Sequence, residues 1–242
     1  MTTSTDYPTY IQLQEDVTDP LDIEVGDDSF IKQSEMIKYC NKAIDKAEKI
    51  LIQTYQDYFL TRDLLTLVDG QEAYDAPDDI YAMKIRNMVY YGSSDVFEVE
   101  RMRDYKKFIK YRYEKEYYIG GSEYAYRWFL INTDPGAWQQ LISPTPTGSG
   151  TIERWYIRQA NRIVSTTDIM DIPEARDFIV AYMKYRCILK QQRGNNESNE
   201  ISVALNEVKE EAVDLRNTLS MMIPDGGEDI EPDFSSYEEQ EF

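Results

Sequence analysis

Between residues 29 and 59, apolar side chains recur every third or fourth position, at Ile37, Cys40, Ile44, Ala47, Leu51, Tyr55 and Tyr58. Lys38, Lys42, Asp45, Lys46, Glu48 and Lys49 fall mostly off that stripe, so the stretch predicts one amphipathic helix. A helix of that extent would be about 40 Å long and would need other helices to cover its apolar face. The same period returns only past Asp171. There Asp171-Ile172-Pro173-Glu174 reads as a helix start, with Asp171 as cap, Pro173 in the first turn and Glu174 reaching back. That helix runs to about residue 193 on Phe178, Ala181, Tyr182, Tyr185, Ile188 and Leu189. From about 198 to 222, Leu205, Val208, Ala212, Leu215, Leu219 and Met222 alternate in steps of three and four, a heptad seam that pairs with another helix.

Between these helices the period drops to two. Over residues 80–91, Tyr81, Met83, Ile85, Val89 and Tyr91 point one way, and Lys84 and Arg86 the other. Val96, Phe97 and Val99 make a short return strand, 101–113 fits a short helix, and strands follow at 124–131, 138–142 and 152–159. The loop 144–150 has no apolar residue except its prolines and is expected to be a mobile, exposed tip. Residues 67–77 form the seam between the two patterns. Asp69-Gly70 supplies the positive φ of a two-residue hairpin loop, between the apolar run Leu64, Leu65, Leu67, Val68 and a short Ala73-Tyr74 strand, and Pro77 ends the pairing. The fold class is α+β: a helical bundle from residues 29–60 and 171–222, with a small antiparallel β module, 61–160, inserted into it.

Charge divides the chain differently. Residues 1–28 hold eight acidic residues and no basic one, and so do residues 224–242. The other 29 of the 45 acidic residues face 26 basic ones, so the termini carry most of the net charge of −19. Both termini read as arms without a core, 1–28 and 223–242. The first holds Tyr10, Ile11, Leu21, Ile23 and Val25, whose local alternation from Leu21 to Val25 fits a strand laid on a partner as well as a frayed end. The second is punctuated by Ile230, Phe234, Tyr237 and Phe242.

With 42% hydrophobic residues over 242 positions the chain can bury a core. It shows neither a membrane-length apolar run nor a basic-then-apolar leader, which places its synthesis in a cytoplasm. Cys40 and Cys187 sit at apolar helix positions and read as free thiols. Histidine is absent, which removes the commonest general acid-base group and transition-metal ligand. Acidic pairs such as Asp78-Asp79, Glu114 with Glu116, and Glu210-Glu211 are what chance yields among 45 acids, and neither a nucleophile motif nor a phosphate loop accompanies them. No enzyme and no cofactor is expected.

Residues 101–127 carry eight basic residues against four acidic ones, interleaved with tyrosines. Arg101, Arg103, Lys106, Lys107, Lys110, Arg112, Tyr111 and Tyr113 could receive the acidic arms of neighbouring subunits, form a solvated basic face, or bind single-stranded nucleic acid, although the overall acidity opposes the last.

A long amphipathic helix, then Val68-x-Gly70-x-x-x-Tyr74-x-x-Pro77-x-Asp79, then a long strand resembles the head-to-tail connector (adaptor) proteins of tailed bacteriophages, including the tail tubular protein A type. Asp171 to Pro173 is a second marker. The resemblance covers about residues 30–222. It implies a structural virion protein that does no chemistry: a ring, usually of twelve subunits, between the portal and a tail or nozzle protein. Such a ring seals the capsid exit while DNA passes through it without sequence-specific binding, and no membrane is involved. The other readings are an acidic nucleic-acid mimic or regulatory protein, and another tail or baseplate component.

Overall fold

Thr9 opens the first helix. The computed structural model describes residues 7–92, 96–113, 126–134, 137–146, 150–192 and 199–223. In it α1 spans Tyr10–Leu21. The Thr9 hydroxyl accepts the Gln12 amide hydrogen at 3.4 Å, and the Gln12 side chain accepts that of Thr9 at 2.9 Å, a reciprocal capping box. This corrects the extended arm expected over residues 1–28 for the stretch 10–21, while residues 1–6 lie outside the described residues. Tyr10, Leu13 and Val17 follow the helical period and are fully buried, while Glu15 and Asp19 remain exposed. Leu21 ends the helix, and Val25 bridges to Ile31 of the same chain.

The chain divides into two compact units, residues 1–55 with 162–242 and residues 56–161. The first holds α1, α2 (Gln33–Thr54), α4 (Arg176–Gln191) and α5 (Asn199–Met222). α2 is shorter than its apolar stripe predicts, because the Glu35 carboxylate accepts the Lys32 amide hydrogen at its start and Tyr55 leaves the helical conformation at its end. Tyr58 and Phe59 belong to the other unit. α4 is central and packs against α1, α2 and α5. Six consecutive residues, Phe178 to Met183, are buried, the signature of a helix enclosed on all sides. It is preceded by a 3-10 turn, Pro173–Ala175, whose cap is Ile172, so Asp171 is not the cap expected of it.

Tyr10 reaches the centre of this unit, where its hydroxyl accepts a hydrogen bond from Gln33 at 2.9 Å. Burial pushes the Cys40 and Cys187 thiols up to about 12, so both act as small apolar groups. On α5, Leu215 and Leu219 are buried and Val208 and Ala212 half-buried, but Leu205 is exposed and Ala204 takes its place. A strict heptad supposes a supercoiled pair. α5 instead lies against both α2 and α4, and its buried face follows the 3.6-residue period.

The second unit contains β1 (Leu60–Leu67), β2 (Ala73–Asp75), β3 (Ile80–Tyr91), β4 (Val96–Glu98), β5 (Glu100–Arg101), α3 (Tyr105–Tyr113), β6 (Arg127–Asp134), β7 (Ala137–Ser143) and β8 (Gly150–Arg158). They form two four-stranded sheets, ordered β1-β8-β3-β4 and β2-β7-β6-β5. All pairings are antiparallel except β5 with β6. Leu67, Tyr74, Ile85, Met88, Trp128 and Ile152 are among the residues of its core. Arg154 on β8, itself 5% exposed, donates to Asp63 at 2.9 Å, to the Asp75 carbonyl at 2.8 Å and to Gln140 at 3.0 Å, tying the first sheet to β2 and β7 of the second.

Two strand expectations fail for physical reasons. β1 and β2 do not pair: β1 pairs β8 and β2 pairs β7, so Asp69-Gly70 turns a corner between two sheets instead of closing a hairpin. The alternation read over β3 is broken by register shifts between Ile80 and Asn87, with Ala82 and Met83 at positive φ. Ile80, Ile85 and Met88 therefore face the core, with half-buried Met83 packed against it, while Tyr81, Val89 and Tyr91 are not part of it.

Candidate functional site

The turn between the sheets is built from the motif residues. Gln71 donates its amide hydrogen to the Val68 carbonyl at 3.1 Å, and Gly70, third in the turn, has φ +77°, the geometry that favours glycine there. The Gly70 amide is held in turn by the Pro146 carbonyl at 2.9 Å. Tyr74 is buried on β2, and its hydroxyl accepts the Val68 amide hydrogen at 3.0 Å, with the Gln71 carbonyl 3.1 Å away. Ala76 donates to the Trp138 carbonyl at 2.9 Å, and Pro77 then stops the β2–β7 pairing. The motif thus specifies a locked corner.

Glu72 extends the lock. Its backbone carbonyl accepts from Ile142 at 2.8 Å, and its carboxylate accepts from Thr145 at 2.6 Å and pairs with Arg112 at the end of α3. Pro146 is buried, so the expectation of a mobile tip fails for residues 144–146, while 147–149 lie outside the described residues.

Arg112 brings the predicted basic surface to the same place. Asp104 caps α3, accepting the Lys106 amide hydrogen at 2.8 Å, and buried Phe108 stacks on Phe129 with ring centroids 5.5 Å apart. Arg101 lies over Trp128 at 5.1 Å, where burial lowers its pKa. Arg127 lies over Tyr111 at 4.4 Å and pairs with Glu100 at 3.1 Å. Arg101, Arg112 and Tyr111 therefore have structural partners. Arg103, Lys106, Lys107 and Lys110 are exposed around them. The side chain of Tyr113 lies outside the described residues, as do Ile230, Phe234, Tyr237 and Phe242.

Topology places this corner. Leu67, Gly150, Tyr91 and Val96 lie at one end of the first sheet, where β1 leads into the turn. Leu60, Ile157, Ile80 and Arg158 lie at the other, beside the points where the chain enters and leaves the unit. Leu64 on β1 and Val68 just past its end are exposed, at 67% and 50%. The end carrying the motif is the end remote from the chain crossings.

The remaining predicted sites disperse. Tyr10 is inside the helical unit, Leu21, Ile23 and Val25 are half-buried on their own chain, and Ile11 is exposed. Of the acidic pairs, Asp79 accepts the Tyr156 hydroxyl at 2.9 Å, and Glu114 and Glu116 lie outside the described residues. Among the described residues no His, Cys, Asp or Glu cluster is placed to hold a metal ion, and no helix is long and apolar enough to cross a membrane.

Residues 8–221 match the family model of the SU10 adaptor protein. The chain belongs to the SU10 adaptor protein family. This is a family of phage head-to-tail adaptors, so the chain is a phage adaptor protein, a structural component of the virion. The match begins one residue before the Thr9 cap and ends in the last turn of α5, which makes α1 part of the family's body. No curated protein matches the chain. Sequence reasoning missed α1 and the Glu72 junction. The Thr9-x-x-Gln12 capping box was a readable signal for the first; nothing local announces the second.

Proposed function

We propose that this adaptor assembles as a ring, of twelve copies by analogy with its family, between the portal and the tail or nozzle of a tailed phage. There it closes the DNA exit and gives the tail its platform. The observation that carries this reading is the family match over nearly the whole described chain, from α1 to α5. The locked corner at 68–77 supports it further, because it rigidifies the end of the β unit remote from the chain crossings. That end is the one assigned to the tail side.

The exposed cations of α3 receive acidic segments of neighbouring protomers or of a partner ring, and the acidic residues 224–242 dock on the portal by folding as they bind. Acidic residues facing the channel let DNA slide, since phosphates meet like charge. A channel lined by Lys and Arg would contradict that assignment.

The test is complementation. Phage made without this protein should yield filled heads that lose DNA and take no tails, and purified chain added to such heads should restore both. Heads that keep their DNA and accept tails without it would overturn the reading.

A further inference from the structure

Within the helical unit, α2 turns one stripe to solvent: Lys38, Lys42, Asp45, Lys46 and Lys49 are all exposed. Asp45, its one carboxylate, is held by Arg162 at 2.8 Å. Lys46 lies over the Tyr182 ring at 5.6 Å, and among the described residues none of the four lysines has a carboxylate partner. They cover about 17 Å of helix. Lys38 and Lys42, Lys42 and Lys46, and Lys46 and Lys49 stand three or four residues apart, the spacing at which like charges on one helix repel.

α5 carries the complement. Glu207, Glu210, Glu211 and Asp214 share one side of the helix, again three or four residues apart. Lys184 lies 4.0 Å from Glu207, and Glu210, Glu211 and Asp214 have no cationic partner among the described residues. Burial together with the charges of Asp177, Asp214, Glu207 and Glu210 pushes the Glu211 carboxyl up. A solvated helix face usually mixes its signs; here one face of α2 is mainly cationic, and one side of α5 is anionic, with Glu210 and Asp214 exposed and Glu207 and Glu211 half-buried. Lys209 and Arg216 lie on the other side of α5, and among the described residues no ion pair joins the two stripes within the protomer.

We propose that the lysine stripe of α2 in one copy docks on the acidic stripe of α5 in a second copy. The two patches differ, so the contact is head-to-tail and propagates from copy to copy, closing if the rotation per step allows. The contact rests on the ring reading above and assigns it an interface. The alternative occupant of a lysine stripe, duplex DNA, would be repelled by the acidic side of the same bundle.

The test is a charge swap in the full chain. One variant carries Lys42→Glu and Lys49→Glu; the other carries Glu210→Lys and Asp214→Lys. Sedimentation is measured for each alone and for their equimolar mixture, with and without the phage's portal protein, and circular dichroism verifies that each variant folds. Wild-type chain should form higher-mass species that dissociate as salt rises from about 0.1 M to about 1 M, where the Debye length falls from about 10 Å to about 3 Å. Each variant alone should lose them, and the mixture should regain them, since each variant restores the other's missing sign. Variants that assemble as wild type does, or a mixture that stays monomeric while wild type assembles, would overturn this contact and leave the ring reading standing. Wild-type chain that forms no assembly alone or on the portal would overturn both. Duplex DNA bound by wild type and released by the lysine variant would assign the stripe to DNA instead.

Discussion

The Tyr74 hydroxyl and the Val68 amide lie 3.0 Å apart across the turn between them, so the tyrosine of the family motif fastens the turn that its valine begins. Tyr74→Phe keeps the buried ring and removes this bond. The change should cost about 1 kcal/mol, the usual net contribution of a hydrogen bond that is only partly buried. Urea unfolding would measure the loss, and hydrogen exchange at Val68 should accelerate more than at Ile152. Equal stability and unchanged exchange would show that the hydroxyl is dispensable.

Arg154 pairs with Asp63 within the first sheet and reaches the Asp75 carbonyl and the Gln140 side chain of the second. Arg154→Leu leaves Asp63 without its ion-pair partner and frees the Asp75 carbonyl. A loss of about 3 kcal/mol is expected, in line with breaking one side of a largely buried pair. Adding Asp63→Leu should recover part of it, which thermal unfolding of the double variant would reveal.

Gly150 and Tyr90 are in contact where β8 begins. A Cβ at Gly150 would clash with the Tyr90 ring, which packs against Phe97 at 4.8 Å and Tyr126 at 5.0 Å and so has little room to yield. Gly150→Ala should destabilise by about 1–3 kcal/mol, the usual cost of overpacking. Tyr90→Leu in the same chain should remove most of that penalty. If the single substitution is silent in denaturant melts, the contact is not tight.

Glu211 gives the helical unit a pH dependence of definite sign. Its carboxyl is pushed up by burial and by the acidic groups around it. A carboxyl raised in the folded state releases its proton first on unfolding. Its favourable contribution is therefore present below the ordinary carboxyl pKa and lost as pH rises through the raised value. Glu211→Gln should raise Tm at pH 7 and leave it unchanged below about pH 4, where the wild-type side chain is neutral. A gain that persists at low pH would locate its cause elsewhere.

Much of the helical unit was legible because its signal is long. The α2 stripe through Cys40, Ile44, Ala47 and Leu51 runs over several turns and is buried as read. α1 escaped because its apolar positions are few and interleaved with acids and Pro20, so composition outweighed a capping box and one short period. The β unit was harder for a different reason. Asp69-Gly70 forms a turn in either case, and only long-range pairing decides whether the strands beside it join each other or two different sheets. The face read for β3 holds at Met83 and Ile85 but not at Tyr81, Val89 and Tyr91, because Ala82 and Met83 adopt positive φ, which nothing in their side chains favours. Of the basic surface, the sequence showed the charges but not that Arg101, Arg112 and Tyr111 are engaged by Trp128, Glu72 and Arg127.

The most direct test of the central claim is the solution mass of the purified full chain, alone and then mixed with the portal protein of the same phage, repeated after deletion of residues 224–242. The adaptor reading predicts a defined ring on the portal and its loss when the acidic segment is removed. A chain that stays monomeric or dimeric and ignores the portal with all 242 residues present would contradict it.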